Sequence, residues 1–230
     1  MARLGNAETA LALLRTMRDV FPGRIAAVSS FGAESAVVLH MLAGIDPAVP
    51  VIFLDTGKLF PETLAYRDTL VERLGLLDVR SARPDPARLA VTDPNGALWQ
   101  HDPDRCCRDR KVEPLEAALA GFAAWITGRK RYQGASRRTL DMVEAGPDAK
   151  IKLNPLARWS AAEVEHYLAR HDLPLHPLRA RGYRSIGCTT CTRPVLPGEE
   201  SRAGRWSGTG KTECGIHRVL AATQDWAPRA

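Results

Sequence analysis

Several features are scarce or missing in this chain of 230 residues, and each absence excludes something. No stretch approaches the roughly 18 consecutive apolar residues of a spanning helix, so no transmembrane helix is expected. Neither the GxGxxG fingerprint nor the Walker A lysine pattern is present, which disfavours the common dinucleotide and NTPase readings. Internal repeats and low-complexity tracts are missing too, which argues against a solenoid or a linker protein. Aromatics make up only 6% of the residues, so base stacking near the arginines could draw only on Tyr132, Tyr183 and Trp206. Met1 to Arg18 carries scattered charges and no small-residue cleavage site after an apolar run, unlike a secretory signal. A cytoplasmic, reducing location is therefore expected, where the five cysteines bind metal or react rather than form disulfides.

The remaining composition is that of a globular protein, 45% hydrophobic and 25% charged, long enough for one sizeable core. The net charge of +6 favours an anionic partner. Acidic residues are mixed in almost everywhere, so local arginine clusters carry more information than the total.

Arg24 to Ser30 reads as a buried strand ending in a small-residue turn, and Ala36 to Leu42 as an apolar helix packed on a sheet. Pro50 to Leu54 has the continuous apolar character of a central parallel strand. Pro61 suits the first turn of a helix on which Leu64, Val71 and Leu74 recur at helical spacing. Asp78 to Ala82 and Ala123 to Thr127 are further strands. Strand and helix alternating in this way imply right-handed crossovers and an α/β fold with a mostly parallel sheet. Ser160 and Glu163 form a capping box, with Trp159 placed to staple onto Val164, for a helix reaching about Arg170. From Leu175 onward Gly, Pro and Arg dominate and periodicity disappears. This last part reads as an irregular segment held by ligands and metal rather than by a core.

Two stretches suit an anion. Ser29-Ser30-Phe31-Gly32-Ala33-Glu34-Ser35 follows the first strand and precedes a helix, where small residues let backbone N–H groups approach a phosphate. Asp55-Thr56-Gly57 lies at the neighbouring strand end. The second stretch is Thr127 to Arg138, in which five cations follow directly on an apolar strand, and Arg202 with Arg205 makes a third small cluster. An ordinary turn and a solvated charge run are the plain alternatives.

The cysteines fall into Cys106-Cys107, Cys188-Thr189-Thr190-Cys191 and a lone Cys214, with His217 three residues after it. The CxxC pair alone favours structural zinc. Adjacent helical residues point about 100° apart, so Cys106 and Cys107 suit two corners of a cubane better than one small ion. An iron–sulfur cluster is therefore favoured over zinc, the simpler alternative. Arg105, Arg108, Arg110 and Lys111 surround the tandem pair and suit an anionic centre. The cysteine left over reads as a thiol kept free for reaction, its pKa lowered by His217 and Lys211.

Ser30-Phe31-Gly32-Ala33-Glu34, Leu54-Asp55-Thr56-Gly57, Cys106-Cys107 with Lys111-Val112-Glu113-Pro114-Leu115, Lys152-Leu153-Asn154-Pro155-Leu156, Gly187-Cys188-Thr189-Thr190-Cys191-Thr192 and Glu213-Cys214-Gly215-Ile216-His217 occur in one order. Together, from about Val28 to His217, they resemble the assimilatory adenylyl-sulfate / phosphoadenylyl-sulfate reductases, specifically the iron–sulfur adenylyl-sulfate branch. That resemblance implies an adenine nucleotide α-hydrolase-like (Rossmann-like) fold with flanking helices and an irregular C-terminal tail. Residues 1–205 would form the reductase domain and 206–230 a mobile tail. It implies reduction of adenylyl sulfate to sulfite and AMP, with thioredoxin or a glutaredoxin-like thiol donor.

By the same resemblance Cys106, Cys107, Cys188 and Cys191 match ligands of a 4Fe-4S cluster, and Cys214 matches the nucleophile. Lys111, Arg202 and Arg205 match basic residues near the substrate, Gly128, Arg131 and Arg137 fall in an arginine loop, and His217 matches a tail histidine. Ser29 to Glu34, Asp55 and Thr56 would cradle the nucleotide. No nucleic acid or membrane partner is implied, and a homo-oligomer is left open. Ser35 departs from the family by replacing an acidic residue, and the stretch between Arg205 and Cys214 is shorter and richer in glycine. Competing readings are a phosphoadenylyl-sulfate or dual-specificity reductase, an adenylating sulfur transferase on the same fold, and a zinc-knuckle module binding RNA.

Overall fold

The computed structural model describes residues 5–145 and 150–217, so the tail residues 218–230 lie outside the described part. Its centre is a six-stranded sheet in the order β3-β2-β1-β4-β6-β5, formed by β1 (Ile25–Ser29), β2 (Val51–Leu54), β3 (Val79–Ala82), β4 (Ala124–Ile126), β5 (Val143–Ala145) and β6 (Ile151–Leu153). All neighbours are parallel except β5, which runs antiparallel to β6. β2 and β4 are buried at every position, as expected of strands covered on both faces.

The helices are α1 (Asn6–Val20), α2 (Ser35–Ala43), α3 (Pro61–Leu74), α4 (Pro86–Thr92), α5 (Leu98–His101), α6 (Pro103–Cys107), α7 (Glu113–Ala118) and α8 (Ala161–Arg170). Among the described residues no helix is long and apolar enough to cross a membrane. α2 is apolar nearly all round because it packs against the sheet, α3 and α8 together. α3 starts at Pro61 and stops at Gly75, whose φ of 62° gives a left-handed cap. At α8 the Ser160 hydroxyl accepts from the Glu163 N–H at 3.2 Å, and the Glu163 carboxylate accepts from the Ser160 N–H at 2.7 Å. The same carboxylate accepts from Asn6 Nδ2 at 2.8 Å, which ties α1 to α8. Trp159 and Val164 share the main core, as a staple requires.

The four strands and three helices read from the sequence are present with ends within two residues. Other elements have no counterpart in that reading: the short helices α4, α5 and α7, and also α1, β5 and β6. α1 hides its signal because only Ala10 and Leu14 are fully buried among many charges. β5 and β6 are three residues each, and the middle of β6 is a lysine whose charge masks an interior position.

The C-terminal segment corrects the expectation of no core. It has few regular elements, yet Leu178 and Ile186 pack with Ala33 in a small buried cluster flanked by Phe60 and Tyr183. His176 pins this segment to α3: the Leu178 N–H donates to His176 Nδ1 at 3.2 Å, leaving Nε2–H to donate to Thr63 Oγ1 at 3.0 Å. The Tyr66 hydroxyl donates to the Pro174 carbonyl at 2.8 Å beside it.

Burial pushes the His176 imidazole down to about 4 from its ordinary 6.5. The unfolded chain therefore binds more protons between those values, and stability present above pH 6.5 is lost as pH falls toward 4. Compared with His176→Gln, the wild type should lose up to about 3 kcal/mol of its advantage over that window, read from denaturant unfolding at stepped pH.

Candidate active site

Ligands on open parallel sheets sit at the carboxyl ends of strands where the chain leaves to opposite sides. Here that point lies between β1 and β4, and a cavity of about 200 Å³ opens there. The loop after β1 forms one wall. Ser29 Oγ accepts from the Phe31 N–H at 3.1 Å, and the Ser35 hydroxyl donates to the Gly32 carbonyl at 2.8 Å, so the departing residue Ser35 closes the turn. Phe31 holds a left-handed φ of 47°, uncommon for a bulky residue. Its ring is fully buried edge-on against Phe53 at 5.4 Å, and that burial offsets the backbone strain. Phe31 thus shapes the loop from below, whereas Ser29, Ser30, Gly32, Ala33 and Glu34 line the cavity.

Glu34 is committed inside the protein. It accepts from Lys130 Nζ at 2.8 Å, Gln133 Nε2 at 2.9 Å and the Tyr132 hydroxyl at 2.6 Å. Burial pushes its carboxyl up, and Lys130 with these donors outweighs that and holds it below the usual range. Thr56 lines the cavity, but Asp55 turns to Arg83 at 3.0 Å. Gly128 and Arg137 face the cavity. Arg131 turns away, donating to the Leu140 carbonyl at 2.7 Å.

Two cavity residues, Arg129 and Trp206, take roles that the sequence reading did not single out. Arg129 is held by the Glu144 carboxylate at 2.5 Å and by Asn154 Oδ1 at 3.3 Å, both of which depend on the β5–β6 pairing. Trp206 lies flat under Arg205, whose guanidinium is 4.4 Å from the ring centre, with Arg202 and Lys211 each at 5.8 Å. The sequence signal was present in Arg202-x-x-Arg205-Trp206, an aromatic beside spaced cations. Tyr132 and Tyr183 are engaged with Glu34 and Phe60, so none of the three rings named for base stacking is free.

Cys106 and Cys107 end α6, which runs on into a π-helical turn, Arg108–Val112. This turn brings Arg110 and Lys111 inward together, and both are 8% exposed. Arg110 pairs with buried Asp93 at 2.6 Å and donates to the Thr56 carbonyl at 2.9 Å, fixing the turn to the end of β2. Cys188 Sγ lies 3.3 Å from the Thr56 hydroxyl. Burial, then Cys107, Cys188 and Cys191, push Cys106 up to about 12. No disulfide joins them.

Among the described residues, no three metal-ligating side chains gather at the spacing one ion would need. Four unpaired thiols, three of them buried, nevertheless make a donor set for a sulfur-ligated group. Three buried polar atoms beside them, Thr192 Oγ1, Arg205 Nε and Trp206 Nε1, have no partner in the protein. Donors left in this way suit an anionic centre.

Cys214 lines the cavity with His217 and Lys111. Burial would push the Lys111 ammonium down, but Cys188, Cys107 and Cys214 outweigh it and hold its proton on. The expectation that His217 acts as a cation on Cys214 is not met. Burial, then Arg129 and Lys152, hold His217 well below its ordinary value and so neutral, and Lys211 is paired with Asp104. Lys111 lies among the thiols, and Arg110, Lys211 and Arg205 act on them too.

A family described as the phosphoadenosine phosphosulfate reductase domain matches residues 24–194. The adenosine 5'-phosphosulfate reductase of Mesorhizobium japonicum is 55% identical over 203 residues, covering 88% of this chain and 80% of that protein. The enzyme of the same name from a Chelativorans species is 50% identical over 218 residues, covering 94% and 88%. Among solved structures, the phosphoadenylyl-sulfate reductase of Candida auris in its phosphate complex aligns with a TM-score of 0.68 and 27% identity, over 80% of this chain and 90% of that one. The sheet order and strand-end cavity are those of the adenine nucleotide α-hydrolase-like fold, and the chain belongs to the phosphoadenosine phosphosulfate reductase family.

Proposed function

We propose that this protein reduces adenylyl sulfate to sulfite and AMP in sulfate assimilation, with a thioredoxin- or glutaredoxin-like dithiol as electron donor. One observation carries the reading: a single cavity is lined by the β1 loop, by Lys111, Arg129 and Arg205, and by the Cys214 thiol. The names of the relatives support the choice of nucleotide.

The substrate is a phosphate–sulfate anhydride whose sulfur is shielded by negative oxygens. An attacking group must be anionic near neutral pH and yet approach that charge. A thiolate meets the first requirement and fixed cations meet the second. The Cys214 thiolate, supported by Lys111, attacks the sulfate sulfur. The S–O bond to the phosphate breaks, AMP leaves with the electron pair, and Cys214 carries a sulfonate. A donor thiolate then attacks the Cys214 sulfur, and sulfite leaves with the pair of the S–S bond. The donor's second thiol resolves the mixed disulfide, so the two electrons come from the dithiol. His217, kept neutral, presents an Nδ1 without a protein partner at this cavity.

Cys106, Cys107, Cys188 and Cys191 would hold a 4Fe-4S cluster, which offers a separate corner to each thiolate. When bound, it would set the charge around Lys111 and shape the wall beside Cys214. Arg205 occupies its place because Gly187 lacks a side chain: a Cβ there would collide with the guanidinium. Residues 206–217 act as the moving tail, closed in the first step and open in the second. Gly215, at φ 89° directly after Cys214, gives that stretch a turn other residues resist. Gly204 serves a close approach, because a Cβ there would strike the Arg193 carbonyl.

Sulfite release from adenylyl sulfate, compared with the 3'-phosphorylated nucleotide, on anaerobically prepared protein with thioredoxin tests the reading; release from neither would end it. Cys214→Ser should bind nucleotide, release no sulfite and carry no sulfonate by mass spectrometry. Lys111→Ala should cut turnover by about a hundredfold or more while iron content stays intact, as for loss of a preorganised charge contact; equal loss of both would mean a structural role. Gly187→Ala should raise KM for the nucleotide with little change in the thermal midpoint.

A further inference from the structure

Glu213, the residue before Cys214, is held by two arginines from separate parts of the chain. Arg137 Nε and Nη2 donate to its two carboxylate oxygens at 2.7 and 2.9 Å, a two-pronged pair. Arg202 Nη2 donates to Glu213 Oε2 at 3.1 Å and to the Thr212 carbonyl at 2.9 Å, gripping side chain and backbone together. Arg137 spends its remaining nitrogen, Nη1, on Gln133 at 2.6 Å, so every nitrogen of this 7% exposed guanidinium is bonded to protein.

On the other side of Cys214 the packing is apolar, with Lys152 Nζ donating to the His217 carbonyl at 3.4 Å. Ile216 packs on the cluster around Leu115 and Trp125, and the His217 ring stacks on Trp125 at 5.9 Å with planes 8° apart. The nucleophile is thus suspended between an ionic anchor and an apolar one. The ionic anchor answers to an anion, because Arg137 and Arg202 line the same cavity as the substrate would.

We infer that Glu213 is a positioning residue, a latch whose ion pairs with Arg137 and Arg202 hold Cys214 at the cavity wall and whose release exposes the thiol. Arg137 then serves the tail, and Lys111, Arg129 and Arg205 are left for the substrate. The inference rests on the proposed reaction only for what the exposed thiol meets; the latch itself belongs to the free protein.

Its first test needs no nucleotide. Anaerobic protein is treated with iodoacetamide, and alkylation of Cys214 is followed by peptide mass. Glu213→Gln should raise that rate about tenfold, the effect of losing one charge-assisted contact. Arg137→Gln should do the same, the double variant should be no faster than either single one, and Glu213→Asp should fall between. Iron content and thermal midpoint should stay at wild-type values. In single turnover with adenylyl sulfate, the Cys214 sulfonate should form more slowly in Glu213→Gln. A Glu213→Gln protein alkylated at the wild-type rate, or additive effects in the double variant, overturns the latch. If alkylation follows the expected pattern while neither nucleotide yields sulfite, the latch stands and the reaction is wrong.

Discussion

Crowding positive charge into one small cavity is the constraint that shapes this protein. Unpaired cations so close together would repel one another and lose hydration. The fold answers by giving most of them a carboxylate partner from elsewhere in the chain. Lys130 has Glu34, Arg129 has Glu144, Arg110 has Asp93 and Arg137 has Glu213. Lys111 is set instead among thiols. The carboxylates come from four separate parts of the chain, so charge balance in the cavity is itself a tertiary contact.

The parallel sheet makes this gathering possible. β1, β2 and β4 deliver their carboxyl ends to one edge, and the loop from each carries small residues or cations to the same opening. The π-helical turn after Cys107 places two consecutive basic residues inward, one bracing the end of β2 and the other beside the thiols. Trp206 does comparable work on the far wall, keeping Arg205 in place by stacking where a further carboxylate would have cancelled the charge.

The reacting sulfur is treated differently from the other four. Cys106, Cys107 and Cys188 are buried, and Cys191 follows in the same turn as Cys188. Cys214 is partly exposed, on a strap tied at Glu213 and again at Ile216 and His217. Burial and fixed geometry suit ligands; a strap with one charge-sensitive end suits a group that must serve two partners in turn.

The sequence by itself determined strands β1 to β4 of the sheet, the strand-end loop and the thiols. Val51 to Leu54, Ser160 with Glu163, and the paired cysteines act through neighbours a few residues away, and such signals survive in one dimension. What only the tertiary structure decided was which way each charged side chain turned. Arg129 and Arg131 look alike in the chain, yet one meets Glu144 at the cavity and the other turns to the Leu140 carbonyl. Phe31, read as a contact, went into the core, and His217, read as a cation, became neutral through burial and then four neighbouring cations. The reason is physical: a buried charge takes its state from partners that arrive from distant positions, and no local pattern names them.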